Sequence, residues 1–183
     1  NPFGKAGDYI TSPNISILFS EMIAIWIVSF WQNLKSPKKF NLIELGAGNG
    51  EMIKQIIKVF NQFPKFKDCC KINILEKSEN LKKIQKQKLK KNNIKWLKNL
   101  NEINDVPSIF VANEFFDALP IKQFIKKKNK WYERNVKFSE LNKPEFIDIL
   151  SNIKKIEKKI GFKIFHGQKF VEYSPLSIKY LKI

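Results

Sequence analysis

Histidine, cysteine and arginine are nearly missing from this 183-residue chain, which has one His, two Cys and a single arginine, Arg134. His166 with the adjacent Cys69 and Cys70 cannot be assembled into a zinc cluster of recognisable spacing, so no metal is expected. Two neighbouring thiols are no disulfide framework either and read as reduced cysteines in a cytosolic or matrix-like compartment. Ser-His-Asp or Cys-His chemistry would require the one imidazole to meet a nucleophile. A charged-then-apolar leader is lacking, as is an initiating methionine, so the native start is expected to lie upstream. The longest apolar run, 15–31, carries Glu21 with Ser16, Ser20 and Ser29. At about 1.5 Å per residue it would only just cross a hydrocarbon layer, and a buried amphipathic helix fits it better than a membrane span.

What is abundant is lysine, which gives a net charge of +17. Such a field attracts polyanions. Arginine, whose planar donor fork reads phosphate, is all but absent, so the charge reads as a solvated lysine surface and a nucleic-acid partner is not expected. The length suits one domain with a sizeable core.

Along the chain, Ser12-Pro13 predicts a cap and first turn for the apolar helix, starting near Asn14 and ending before Ser36-Pro37. A short apolar run at 40–45 meets glycines and then Met52, Ile53, Ile56, Ile57 and Phe60 at helical spacing, which is strand, tight turn and helix. Further strands are expected at 71–76, 94–97 and 108–112, with a helix marked by Leu81, Ile84 and Leu89. Segments 121–125 and 130–138 flank a Lys-Lys-Asn-Lys turn as an exposed hairpin. Pro144 opens a helix through Phe146, Ile149, Leu150, Ile153 and Ile156 to Gly161, segment 162–173 stays ambiguous, and 175–181 forms a last helix. Strands alternating with helices imply an α/β fold with a parallel sheet, whose ligand sits beyond the carboxyl ends of the strands where strand order reverses. The turn at Gly46–Gly50, Glu76 and Asn113-Glu114 all fall at those ends.

Gly46-x-Gly48-x-Gly50 lets the backbone approach a ligand closely. A dinucleotide turn would carry a third glycine where Glu51 stands, and a carboxylate there repels pyrophosphate. S-adenosylmethionine has no phosphate and bears a sulfonium and an ammonium group, so the electrostatics favour it, with Glu44 steering the ammonium end. A turn that merely packs is the plain alternative. Glu76, closing the second strand, is placed to accept both ribose hydroxyls. Asn113, Glu114 and Asp117 follow the strand expected beside the glycine turn, and two carboxylates there suit a guanidinium acceptor. Otherwise Asn113 caps a turn while Glu114 and Asp117 face solvent. The Asn/Asp-Pro-Pro-aromatic pattern of adenine or cytosine methylation is lacking, since Asn113-Glu114-Phe115-Phe116 has neither proline.

These blocks together resemble the MidA family of S-adenosylmethionine-dependent methyltransferases: Pro2-Phe3-Gly4 with Gly7-Asp8-Tyr9-Ile10-Thr11-Ser12-Pro13, Glu44–Gly50, Glu76-Lys77-Ser78 with Leu81 and Gln85, Ala112–Pro120, Trp131-Tyr132-Glu133-Arg134, and Glu172-Tyr173-Ser174-Pro175. Asn14, Ser20 and Ala47 stand where the family usually has glutamate, glycine and proline. The resemblance implies a Rossmann-like seven-strand class I methyltransferase fold, incomplete at its C-terminal strands, with an N-terminal helical segment (1–39), a cofactor-binding core (40–126) and an inserted hairpin and helix (127–183) within one partial domain. It further implies S-adenosylmethionine as cofactor, held by Glu44, Gly46, Gly48, Gly50, Glu76, Asp8 and Thr11. Glu114, Asp117 and Asn113 would orient the acceptor. Symmetric dimethylation of an arginine on a protein substrate follows from it, in mitochondrial members on a respiratory complex I subunit. The compartment is the cytoplasm in a bacterium or the mitochondrial matrix in a eukaryote. Methylation of RNA, or an inactive scaffold that keeps the fold, are the readings against which this is weighed.

Overall fold

The computed structural model describes residues 16–182. They fall into two compact units that divide between Phe115 and Phe116. The predicted helix start at Ser12-Pro13 and the candidate residues Asp8 and Thr11 lie outside the described residues.

In the first unit, α1 (Ile17–Asn33) buries Ser20, Ala24, Ile27, Val28 and Trp31, a stripe at helical spacing, against the helix that follows the first strand. The expectation of a buried helix holds for that stripe only. Leu18, Met22, Ile25, Trp26 and Phe30 are exposed on the other side, because apolar residues occupy nearly every position while one face alone meets the core. No described helix is long and apolar enough to cross a membrane.

Strand β1 (Phe40–Leu45) is buried at all six positions and pairs in parallel on one side with β2 (Cys70–Leu75) and on the other with β4 (Ser108–Val111). β3 (Ile94–Leu97) adds outside β2, giving the order β3-β2-β1-β4. The order reverses between β1 and β4, so the crevice at their carboxyl ends is the switch point where open α/β sheets bind ligands. Helices α2 (Glu51–Phe60) and α4 (Glu79–Lys88) are the connections that parallel pairing requires. The amphipathic pattern of Met52, Ile53, Ile56, Val59 and Phe60 buries one face of α2 against the core cluster.

Sequence reading missed the short α3 (Pro64–Cys69), which starts on a proline and exists to deliver one residue. Phe66 is fully buried with its ring 4.6 Å from that of Phe60 and 5.3 Å from that of Trp31, both edge-on. Cys69 and Cys70 are free thiols, and burial pushes the Cys70 thiol up to about 12, so it stays protonated and unreactive near neutrality.

The second unit is an antiparallel sheet of order β7-β6-β5-β8. β5 (Lys122–Lys127) and β6 (Lys130–Phe138) form the expected hairpin, joined by Lys128 and Asn129 at φ 45° and 61°, the paired left-handed conformation that matches strand twist. The helix predicted from Pro144 is corrected: 144–151 is strand β7 (Pro144–Ser151), and helix α5 (Ile153–Ile160) begins only after it. Proline fits the first residue of an edge strand as well as a first helical turn, and β7 lies at the edge. The actual cap is Asn152, whose side chain accepts from the Lys154 amide at 2.9 Å, and Gly161 at φ 88° ends the helix as expected. The ambiguous stretch contributes β8 (Phe170–Tyr173), paired with β5, and the last helix is α6 (Pro175–Leu181). Phe124, Trp131, Ile156, Ile164 and Val171 form this unit's own core.

Candidate active site

At the end of β1 the chain turns through three glycines, all with positive φ, and each is required for a different reason. Gly46 donates its amide to the Leu75 carbonyl at 2.9 Å, which ties the turn to β2. A methyl group at Gly46 would lie 2.7 Å from Cδ2 of Phe115, so the ring of Phe115 rests where any side chain would have to go. Gly50 caps α2 in the left-handed conformation against Gln85 and Leu89. Between them, Gly48 at φ 52° has no described atom within 4 Å of its missing Cβ. Packing therefore explains Gly46, and the left-handed cap conformation explains Gly50, whereas Gly48 is left bare toward open space among the described residues, as a backbone meant for close ligand approach would be.

Glu44, the last but one residue of β1, is 2% exposed, and its Oε2 has no hydrogen-bond partner among the described residues. Burial, and secondarily the nearby Glu76, push its carboxyl up to about 8, so it is mostly neutral at pH 7. A buried acid without a donor is costly unless something supplies one. Expectation and structure part at Glu51. Burial works to raise its carboxyl, but hydrogen bonds from Lys88 at 2.9 Å and Gln55 at 2.6 Å, with the Lys88 and Lys54 charges, hold it below the usual carboxylate range. Its charge is thus matched by lysines, so Glu51 does not by itself argue against pyrophosphate.

Glu76 stands just past β2, 9% exposed, with Oε1 accepting the amides of Lys77 and Ser78 at 2.9 Å each. Oε2 accepts from Nε2 of Gln85 at 3.2 Å. An ionised carboxylate has about four acceptor positions, so one remains, fewer than the two that bidentate capture of a ribose in this conformation would need. Gln85 itself was not foreseen as a site residue. It is fully buried on α4 and also donates to the Gly48 carbonyl at 2.8 Å, while its Oε1 accepts from the Trp96 indole at 2.9 Å. The sequence signals were its place with Leu81 in the Glu76-Lys77-Ser78 block of the resemblance and its helical register on an otherwise lysine-rich helix.

Asn113 and Glu114 follow β4 at the same edge of the sheet as the glycine turn. Glu114 is exposed and takes φ 48°, a conformation uncommon for a residue with a side chain and enriched where function demands it. No described residue hydrogen-bonds its carboxylate. Asp117 is also exposed and belongs to the second unit. Among the described residues, no group of three His, Cys, Asp or Glu is arranged to hold a metal ion.

The bare Gly48 backbone and the orphaned Glu44 oxygen suit a cationic, phosphate-free group, and comparison with known proteins agrees. Residues 22–183 match the family described as "Putative S-adenosyl-L-methionine-dependent methyltransferase". The chain is 32% identical over 154 residues to the mitochondrial protein arginine methyltransferase NDUFAF7 of Homo sapiens, and 34% identical over 154 residues to that of Xenopus tropicalis. Each alignment covers 71% of this chain but 35% and 36% of those proteins, so the chain spans about a third of the length of the curated relatives it matches. In fold it is similar to a Burkholderia thailandensis superfamily member solved with S-adenosyl-homocysteine bound, with a TM-score of 0.77 at 20% identity, covering 99% of this chain and 48% of that one. A native structure from the same organism gives 0.74 at 21% identity, over 97% and 47%. With 22–183 matching the family model and the fold of the sheet in agreement, this chain belongs to the MidA family of S-adenosylmethionine-dependent methyltransferases.

Proposed function

We propose that this chain is the cofactor-holding part of a protein arginine methyltransferase, with Gly46, Gly48, Gly50, Glu44 and Glu76 receiving S-adenosylmethionine. The observation that carries the reading is Gly48: a left-handed glycine with empty space at its Cβ among the described residues, between a glycine that packing explains and one that caps α2, beside a buried acid whose Oε2 no described residue meets. When bound, the cofactor supplies an electrophilic methyl group on a sulfonium centre. The protein's work is placement. Glu44 meets the positive methionine end of the donor, Glu76 offers its free acceptor position to the ribose, and Gly48 permits the approach. Glu114, beside Asn113 past the end of β4, accepts from a cationic acceptor. A guanidinium, with its fixed donor fork, is the chemistry an exposed carboxylate of this kind holds best. Much of the acceleration in such a transfer comes from fixing the acceptor nitrogen in line with the methyl group. The relatives' names support arginine as the acceptor and a mitochondrial setting for a eukaryotic source. Symmetric dimethylation and a respiratory complex I subunit as substrate belong to the same proposal.

The test is incubation of the protein with radiolabelled S-adenosylmethionine and a lysate of its own source. Label in a protease-sensitive band, recovered as methylated arginine after acid hydrolysis and lost in Glu114→Gln, is the expected result. Label removed by ribonuclease would overturn the assignment of a protein acceptor.

A further inference from the structure

Gln85 joins three parts of the first unit that the proposed cofactor needs at once. Its Nε2 donates to the Gly48 carbonyl at 2.8 Å and to Glu76 Oε2 at 3.2 Å, and its Oε1 accepts from Trp96 Nε1 at 2.9 Å. The orientation of the amide is not arbitrary. An indole nitrogen only donates, a backbone carbonyl and an ionised carboxylate only accept, so just one of the two amide orientations satisfies all three neighbours. The side chain is fully buried, where an unpaired amide would be costly, and its Cγ lies 3.4 Å from the position of a Cβ at Gly50. Trp96 on β3 thus fixes Gln85 on α4, and Gln85 fixes both the bare glycine of the turn and the acid past β2.

We propose that Gln85 is a positioning residue for the cofactor: it locks Glu76 and the Gly48 peptide into one arrangement and restricts Glu76 to a single acceptor position for the ribose. This rests on the reading that the glycine turn and Glu76 hold S-adenosylmethionine. Hydrogen bonding between buried groups of this kind is set by each partner's remaining capacity. The amides of Lys77 and Ser78 fill Oε1, and Gln85 takes one side of Oε2, so the nucleoside meets an acid that can neither rotate freely nor be reached from two directions. Replacing the amide by a carboxylate would put a second acid against Glu76 and against the Gly48 carbonyl. Replacing it by leucine keeps much of the bulk and removes both donors.

The experiment is calorimetric binding of S-adenosyl-homocysteine and of its 2′,3′-dideoxy analogue to the wild-type protein and to Gln85→Leu, Gln85→Glu, Trp96→Phe, Glu76→Gln and Gly48→Val. Gln85→Leu is expected to lose about tenfold in affinity for S-adenosyl-homocysteine and to change little toward the dideoxy analogue, which makes no use of Glu76. Gln85→Glu should lose more. Trp96→Phe, which leaves the amide free to turn over, should show a smaller loss of the same ribose-dependent kind, and it carries the test if Gln85 variants do not fold. Glu76→Gln and Gln85→Leu together should cost less than the sum of their separate effects. Equal losses for both ligands in Gln85→Leu, or no loss for either, would overturn the positioning role. If Glu76→Gln and Gly48→Val also bind S-adenosyl-homocysteine like wild type, it is the cofactor-site reading that fails.

Discussion

Glu44 illustrates how one residue can be legible in kind and illegible in state. Its place before the glycines marks it as part of the turn, but that its Oε2 meets no donor among the described residues is a fact of tertiary structure that no local pattern announces. The sign of the consequence is definite. A carboxyl raised from an ordinary 4.5 to about 8 on folding binds its proton more tightly in the native state. This residue's contribution is therefore most favourable below pH 4.5, declines as pH rises through the interval, and levels off above 8. At about 1.4 kcal/mol per unit the interval spans several kcal/mol. Thermal melts at pH 5, 7 and 9 should show Glu44→Gln gaining on wild type with each step upward; parallel curves would mean that the acid finds a donor in solution.

Two glycines yield opposite outcomes at the same scale. Gly48→Val places a branched side chain at φ 52° in open space, so the protein should stay folded, at a cost of about 1–2 kcal/mol, yet lose S-adenosylmethionine affinity by more than tenfold. Gly46→Ala instead drives a methyl group into Phe115 and should destabilise by about 2–4 kcal/mol, clash and backbone strain together. In denaturant melts Phe115→Ala should recover part of that loss in the double variant, and strict additivity would show that ring and methyl never meet. The glycine pattern was readable in the sequence, whereas which glycine is packed and which is bare needed the position of Phe115, 69 residues further on.

Among the elements, those with one dominant period were read correctly and those with mixed signals were not. Short, mostly apolar runs gave β1 and β4 nearly to the residue, and the face of α2 followed from its spacing. At 144–151 the apolar residues fit a helix, but Ile147 and Ile149 are β-branched and β6 offers a partner along eight positions, from Phe138 opposite Pro144 to Trp131 opposite Ser151. Long-range pairing won over local pattern. Gln85 was missed as a site residue for the related reason that a buried polar group declares itself only through its partners. The hairpin between β5 and β6 permits a direct check of local conformation. Lys128 and Asn129 both sit at positive φ, where Asn-Gly is preferred, so the double change Lys128→Asn with Asn129→Gly should raise the melting temperature by about 2–5 °C. A fall would mean that the turn has another form.

For the whole molecule, the fold class was legible in the alternation of strands and helices, and parallel α/β topology leaves ligands few places to bind, which is why the proposed site falls at the carboxyl edge of the sheet. Charge was the less informative property. A net +17 resides almost wholly in lysines spread along the chain, several of which serve local acids: Lys88 for Glu51, Lys122 for Glu133, and Lys127 for Asp148 at 2.5 Å. The exposed pair among them, Lys127 with Asp148, contributes little and is screened by salt, whereas the other two are part-buried.

The seating of Phe115 on Gly46 bears on how such sequences can be recombined. The glycine turn and the loop after β4, although far apart in the chain, fit as tenon and mortise, so a chimera that takes one from a relative and keeps the other risks a void or a collision at the joint. Grafts intended to change which acceptor is accepted should carry both pieces across together.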